Sequence, residues 1–596
     1  GSLLLGADPG NGALAPLTRR IEQAMAAAET RFSLGRYLEP RMLYAAAGFG
    51  GDDPTQDRRT VHLGVDVFCA AGTPVCAPLA GRIHRVGRLD RPLDYGPVLM
   101  LRHDLPDGES FFTLYGHLAE TPALDWNEGD RVDAGTQIAS VGAPPGNGGW
   151  PAHLHLQLIL DDFELGLEFA GVCDPRDTEA YAELCPNPGA LLGIDDVQRL
   201  DARRLRDALA ERRARALGPS LSLSYRKPLH VVRGFGAYLY DDQARGYLDF
   251  YNNVAHVGHS HPHVVGAVQR QIALLNTNTR YLHSTILDYA ERLCGYFPDP
   301  LSVCYFVNSA SEANELALRL ARHYTGRRDI VVAADAYHGH TSALIDMSPY
   351  KYNGPGGAGP APWVHEVPVA DDYRGPFRRG QDDIGACYAA TVRDALAGLD
   401  EDQACAAFFA ETMPSVGGQI IPPPGYLKGV YEAVRAHGGL CIADEVQTGF
   451  GRLGQAFWGF ETQDVVPDIV VLGKPIANGF PMGAVVTTPQ IANAFDNGME
   501  FFATFGGNPV ACAAASAMLD VVEQEGLAAN AARLGSELLK GLWALAERYP
   551  LIGDVRGLGF FLGVELVLDR TTLTPAPAAT AEVVERLLAR RVLAGV

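Results

Sequence analysis

A change of periodicity near residue 220 constrains this chain more than any other feature. Before it, between His62 and Leu160, short apolar runs such as Pro97-Val98-Leu99-Met100-Leu101, Phe111-Phe112-Thr113-Leu114-Tyr115 and His153-Leu154-His155-Leu156-Gln157-Leu158 are separated by Gly, Pro and Asp turns. Runs of that kind predict an all-β module of about 100 residues. After Ser222, buried-strand patterns (Ile330-Val331-Val332, Leu440-Cys441-Ile442-Ala443) alternate with helical ones (Glu312 to His323, Pro509 to Gln524). That texture predicts an α/β fold with a mostly parallel sheet. One fold cannot hold both patterns, so the chain is multidomain, and its 596 residues leave room for about four domain-sized units.

Composition places the boundaries. Residues 1–55 read as a helical linker (Leu17 to Phe32) running into a Gly/Asp-rich loop (Gly48 to Asp57), the remnant of an upstream domain. Residues 56–175 form the β module and 176–218 a helical connector, whose acids at Asp195 and Asp196 precede seven Arg between Val197 and Leu217. Residues 219–596 form the α/β part. Gly1-Ser2 reads as a cloning or protease scar, and the stop at Val596 directly after an amphipathic segment reads as premature. Lys plus Arg number 49 against 70 Asp plus Glu, a net charge of −21 that disfavours nucleic acid and anionic membranes as partners. The ten cysteines lie singly with no CxxC, and no run of about 18 apolar residues occurs, so a reducing, cytoplasmic setting without a membrane span is expected.

The β module concentrates metal-binding groups. His62 and Asp66 lie four residues apart, and His153 and His155 share one face of a strand because side chains alternate with period two. His117 adds a further imidazole. Two His and one carboxylate leave the fourth tetrahedral position of a zinc ion open for water, which the metal acidifies for attack on a carbonyl. With Gly72-Thr-Pro-Val75, Tyr115-Gly-His-Leu118 and Gly129-Asp-Arg-Val132 in the same order, the module resembles the lysostaphin-type zinc endopeptidases. The resemblance implies zinc on His62, Asp66 and His155, with His117 and His153 assisting the water and the oxyanion.

The α/β part carries the pieces of a pyridoxal phosphate (PLP) site. Asp444 stands at the carboxyl end of one apolar strand, where α/β proteins bind ligands, and Lys474 at the end of another. An acid for the pyridinium nitrogen and a lysine for a Schiff base are what PLP requires. Asn308-Ser-Ala-Ser311 opens a helix whose N–H groups and dipole suit a phosphate, and Tyr337 offers a ring for stacking. Together with the runs at 247–262, 275–283, 301–306, 417–423 and 502–509, these residues resemble the class III aminotransferases of fold type I, and within them the ethanolamine-phosphate and phosphohydroxylysine phospho-lyase branch.

That resemblance implies Lys474 as the Schiff-base lysine and general acid/base, and Asp444 on the ring nitrogen. Tyr337 and Val446 would pack on the two ring faces, and Ser309, Ala310 and Ser311 would hold the cofactor phosphate. Thr504 would reach that phosphate from the partner of a homodimer, while Glu411 and Gln447 tune the cofactor. Bacterial members also occur as fusions, which would place a kinase-like domain upstream. The branch normally has Gly where this chain has Ala310, and its members continue about 50 residues beyond Val596. The expected function is a phospho-lyase acting on a small amino-alcohol phosphate, with Arg280 and Lys351 as candidate phosphate contacts. An ω-aminotransferase is the first alternative; a zinc endopeptidase or peptidoglycan-binding module with a passenger PLP domain is the second.

Overall fold

Apolar side chains at alternate positions bind seven strands of the β module into one antiparallel sheet. The computed structural model describes residues 15–45, 53–91, 93–194, 202–399 and 404–595, which fall into two compact units: residues up to Tyr251 with those from Val584 onward, and Asn252–Val583. No helix among the described residues is long and apolar enough to cross a membrane.

In the first unit, helix α1 (Ala15–Ala27) leads to strand β1 (Ser33–Gly35). The sheet then takes β2 (Val65–Phe68), β3 (Gly81–Leu89), β4 (Gly96–Asp104), β5 (Ser110–Gly116), β6 (Arg131–Val132) and β7 (His153–Ile159), in the spatial order β1-β2-β7-β5-β4-β3-β6. Strand β2 sits between β1 and β7 in a register that sets Asp66 against Gly35 on one side and His155 on the other. Leu99, Leu101, Tyr115 and Leu156 pack one face of the sheet, and Val98, Met100, Leu114 and Ile159 the other.

The connector expected at 176–218 is divided by the packing. Cys185 is fully buried with Tyr95, Met100 and Phe169, and its carbonyl accepts from Tyr37 Oη at 2.6 Å, so the helix Thr178–Leu184 and the turn after it complete the β module. Residues 195–201 lie outside the described residues, and the basic helix α2 covers Ala202–Ala216. The two compact units part after Tyr251. Strands β8 (Val231–Phe235), β9 (Tyr238–Asp241) and β10 (Gly246–Asp249) stay in the first unit with the C-terminal strand Val592–Leu593, which pairs parallel to β10. The cause is burial: Met42 packs on Tyr240 and Ala244, and Thr60 Oγ1 donates to the Gln243 carbonyl at 2.8 Å.

The second unit is an α/β layer structure. Its sheet has the order β11 (Val303–Val307), β17 (Gly483–Thr487), β16 (Ile469–Leu472), β15 (Leu440–Asp444), β14 (Cys405–Glu411), β12 (Asp329–Ala333), β13 (Val364–Val367), and only β17 runs against the rest. The mostly parallel sheet is therefore as expected. Successive residues go to opposite covered faces, Ile330, Phe409 and Ile442 into one cluster and Val331, Phe408 and Cys441 into another, which is why these strands read as continuous apolar runs. Helix α3 (Ala310–Thr325) follows β11, and α4 (Pro509–Gln524) carries the apolar run predicted for it.

Candidate functional site

In the second unit, parallel pairing places Glu411 directly beside Asp444 at the carboxyl ends of β14 and β15, and Lys474 lies two residues beyond β16. These residues line a cavity of about 370 Å³ with Ser309, Ala310, Ser311, Asn314, Tyr337, His338, Val446 and Gln447. Asp444 is buried and held from both oxygens: Oδ2 accepts from Asn314 Nδ2 at 3.0 Å and lies 3.0 Å from His338 Nδ1, and Oδ1 accepts from Val446 N at 3.1 Å. Burial, and then the Asp444 charge, pushes the Glu411 carboxyl up. Burial pulls the Lys474 amine down from the usual lysine range although Asp444 and Glu411 oppose it, which favours the neutral, nucleophilic form.

Helix α3 supplies the anion end. The Glu312 amide is taken by Ser309 Oγ at 3.2 Å and the Ala313 amide by the Ser309 carbonyl, leaving the Ala310 and Ser311 amides at the helix start for an anion. Ala310 fits because it opens the helix with ordinary backbone angles. Gly473 makes the space, since a Cβ there would lie 2.6 Å from the Ala310 Cβ. A carboxylate floor, a lysine and an amide cradle in one cavity suit PLP, and the buried His338 Nε2 and Asn314 Oδ1, which lack partners among the described residues, leave polar capacity beside Asp444.

Other expectations are redistributed. Tyr337 lines the cavity with Lys351 Nζ 5.5 Å from its ring centre. Neither Lys351 nor Arg280 is among the lining residues; Arg280 is exposed, pairs with Glu500 at 3.1 Å and stacks on Phe502. Thr504 is exposed and lines no part of this cavity. Sequence reasoning gave no role to Asn314 or His338, whose function as buttresses of Asp444 depends on packing between α3 and the loop after β12.

Glu445, adjacent to Asp444, points the other way and is fully buried. It accepts from Thr412 Oγ1 at 2.7 Å, Gly459 N at 2.8 Å, Phe460 N at 2.9 Å and Thr448 Oγ1. Glu445→Ala strands these four donors, and urea unfolding should show a loss of roughly 3–5 kcal/mol; a loss below about 1 kcal/mol would mean that water replaces the carboxylate.

In the first unit, His62 Nε2, Asp66 Oδ1 and His155 Nδ1 form a triangle with sides of 2.8, 3.2 and 3.1 Å. A tetrahedron on zinc bonds of about 2.0–2.1 Å has edges near 3.3 Å, so the donor set fits zinc. His153 donates from Nδ1 to the Pro151 carbonyl at 2.7 Å, turning Nε2 toward Asp66 Oδ2 at 3.6 Å. His117, in the left-handed region at φ 62°, has its ring 4.4 Å from that of His153. Burial, then Arg41, lowers His62 to about 3, and burial also lowers His117 and His153, keeping these imidazoles neutral as metal ligation or proton transfer needs. Burial alone would raise the Asp66 carboxyl, but Arg41, His62 and His153 hold it well below the usual carboxylate range. Arg41 Nη1 donates to Asp66 Oδ2 at 2.6 Å, a contact sequence reasoning missed because nothing marks one arginine among 49 basic residues.

With both arrangements in view, residues 222–594 match the family described as aminotransferase class-III. The chain belongs to the class-III aminotransferase family. Residues 60–164 match peptidase family M23, so a class-III PLP enzyme here carries an M23 module; the first family implies PLP and the second zinc. The class-III part is 50% identical over 377 residues to alanine–glyoxylate aminotransferase 2-like of Drosophila melanogaster, covering 62% of this chain and 76% of that protein. It is 41% identical to ethanolamine-phosphate phospho-lyase homolog 1 of Caenorhabditis elegans, over 62% of this chain and 82% of the relative. A solved phospholyase from Arthrobacter in complex with phosphoethanolamine superposes with a TM-score of 0.61 at 40% identity, covering 65% of this chain and 90% of that one.

Proposed function

We propose that this class-III enzyme is a phospho-lyase that releases phosphate and ammonia from a small amino-alcohol phosphate, leaving an aldehyde. The likeness to a phospholyase whose structure holds phosphoethanolamine carries this reading. In it, Lys474 and Asp444 bind PLP at its two reactive ends, with Ser309, Ala310 and Ser311 at the phosphate, Tyr337 and Val446 on the ring faces, and Glu411 and Gln447 beside it. PLP supplies an electron sink for the carbon that bears the amine. Lys474, whose amine burial pulls down toward its neutral form, takes the proton from that carbon; the adjacent C–O bond breaks as phosphate departs, and water completes the aldehyde and ammonia.

The exposed apolar side chains Tyr281, Leu282, Met499 and Phe505 support a homodimer in which Thr504 enters the partner's cavity. The ten unpaired cysteines support a cytoplasmic setting. In the M23 module we assign zinc to His62, Asp66 and His155, with His117 and His153 beside the metal-bound water.

Phosphoethanolamine and phosphohydroxylysine are the substrates to test. Phosphate and ammonia should appear in equal amounts; amine transfer to pyruvate or glyoxylate without phosphate release would replace the reading with the aminotransferase one, which the Drosophila relative favours.

A further inference from the structure

We propose that Gln157 is the positioning residue of the M23 module's metal centre: its amide oxygen keeps a proton on Nε2 of His155, so that Nδ1, which faces His62 and Asp66, is the nitrogen left to bind metal. The proposal rests on the assignment of His62, Asp66 and His155 as metal ligands.

Pleat alternation puts His153, His155, Gln157 and Ile159 on one face of β7. Along that face the strand leaves the metal centre and enters the apolar cluster of Tyr95, Met100, Leu114 and Cys185, in which Ile159 packs. Gln157 stands at the junction and is fully buried. A leucine would fill that space at lower cost, since a buried amide needs partners for both its ends. Gln157 has them. Its Nε2 donates to the Ala170 carbonyl at 3.2 Å and to Cys185 Sγ at 3.4 Å, while its Oε1 lies 3.1 Å from His155 Nε2 and accepts from Tyr95 Oη at 3.5 Å.

These contacts leave one arrangement of protons. The Ala170 carbonyl can only accept, so the NH₂ of Gln157 faces it and the oxygen faces His155. An amide oxygen can also only accept, so His155 Nε2 carries hydrogen whatever the charge of the ring. The lone pair that remains for a metal is on Nδ1, 2.8 Å from His62 Nε2 and 3.1 Å from Asp66 Oδ1. Without Gln157 the Asp66 carboxylate would favour the opposite tautomer, with hydrogen on Nδ1 and the lone pair turned away from the centre. Packing holds the ring in this setting: it sits hard against Gly64, where a Cβ would lie 2.7 Å from His155 Cε1, and its centre is 5.2 Å from that of Tyr95. His62 has no such anchor, since its buried Nδ1 lacks a hydrogen-bond partner among the described residues. The orientation of the centre is therefore set from the His155 side.

The test uses the full chain with two variants. Gln157→Met keeps the length of the side chain and removes the acceptor; Gln157→Glu keeps an acceptor for Nε2–H but sets a carboxylate oxygen against the Ala170 carbonyl. Proton–nitrogen NMR of the metal-free chain with isotope-labelled histidine reads the tautomer, the His155 signals being assigned by their loss in His155→Gln. Hydrogen should sit on Nε2 in the unaltered chain and in Gln157→Glu, and on Nδ1 in Gln157→Met. Competition with a chromogenic chelator reads zinc affinity, which should fall roughly 10–100-fold in Gln157→Met and stay within about threefold of the parent in Gln157→Glu, even where that variant melts at a lower temperature. A role in packing alone predicts instead that both variants lose zinc in step with stability. Hydrogen on Nδ1 alone in the unaltered chain, equal loss of zinc by the two variants, or parental zinc affinity in Gln157→Met would overturn the proposal. Where a variant does not fold, the spectrum of the unaltered chain decides. An absence of zinc from the unaltered chain would overturn the ligand assignment instead, while the spectra still decide whether Gln157 sets the tautomer.

Discussion

Replacing Lys474 with alanine is expected to abolish phosphate release and amine transfer together, by roughly 10³-fold or more, because in the proposed reading one amine serves both as the covalent anchor and as the base. Among the cavity-lining residues it is the one lysine, and no arginine lines the cavity to take its place. Its position at the end of β16 sets it against Asp444 and Glu411, whose charges would hold it protonated; burial outweighs them, so the neutral amine forms at lower pH than for an ordinary lysine. Lys474→Arg should be equally inactive, since a guanidinium keeps its proton at any working pH. Borohydride treatment should fix the cofactor to position 474 of the unaltered enzyme and to no residue of the alanine variant, read by peptide mass. Activity of Lys474→Ala within about tenfold of the parent would exclude this lysine as the base.

What could be read from sequence divides along physical lines. Asp444 and Lys474 were legible because each ends a buried parallel strand, and strand direction alone brings such ends to one crevice. His153 and His155 were legible because pleat alternation fixes which side chains share a face, and His62 and Asp66 because of their spacing four residues apart. The contacts that modify these groups were not. His338 and Asn314 reach Asp444 across 106 and 130 residues, and Arg41 reaches Asp66 from a segment with no periodic signal of its own. Ala310, which departs from the expected Gly, was readable as a departure; that Gly473 makes room for it depends on packing between α3 and the loop after β16. The pairing that holds Val592–Leu593 to β10 across more than 300 residues was not legible for a related reason.

The second large effect is expected at Asp444. Asp444→Asn keeps the size of the side chain and removes its charge, so the pyridinium nitrogen would lose its counter-charge while the cavity keeps its shape. A loss of about 10²–10³-fold in kcat is expected, the cost of removing one preorganised charge from a water-poor site. Asn314 Nδ2 and the Val446 amide both donate to Asp444, and His338 Nδ1 faces the same oxygen as Asn314, so an amide in its place sets NH₂ against at least one donor. The variant should therefore also hold PLP more weakly, visible as cofactor loss on dialysis. His338→Ala separates the two causes: it leaves the carboxylate but removes one buttress, and should lower kcat by about tenfold while the carboxylate retains its charge. If Asp444→Asn and His338→Ala fall equally far, orientation rather than charge is the carboxylate's main contribution; if His338→Ala has no effect, the charge acts alone and the His338 contact only fills the core beside Phe409.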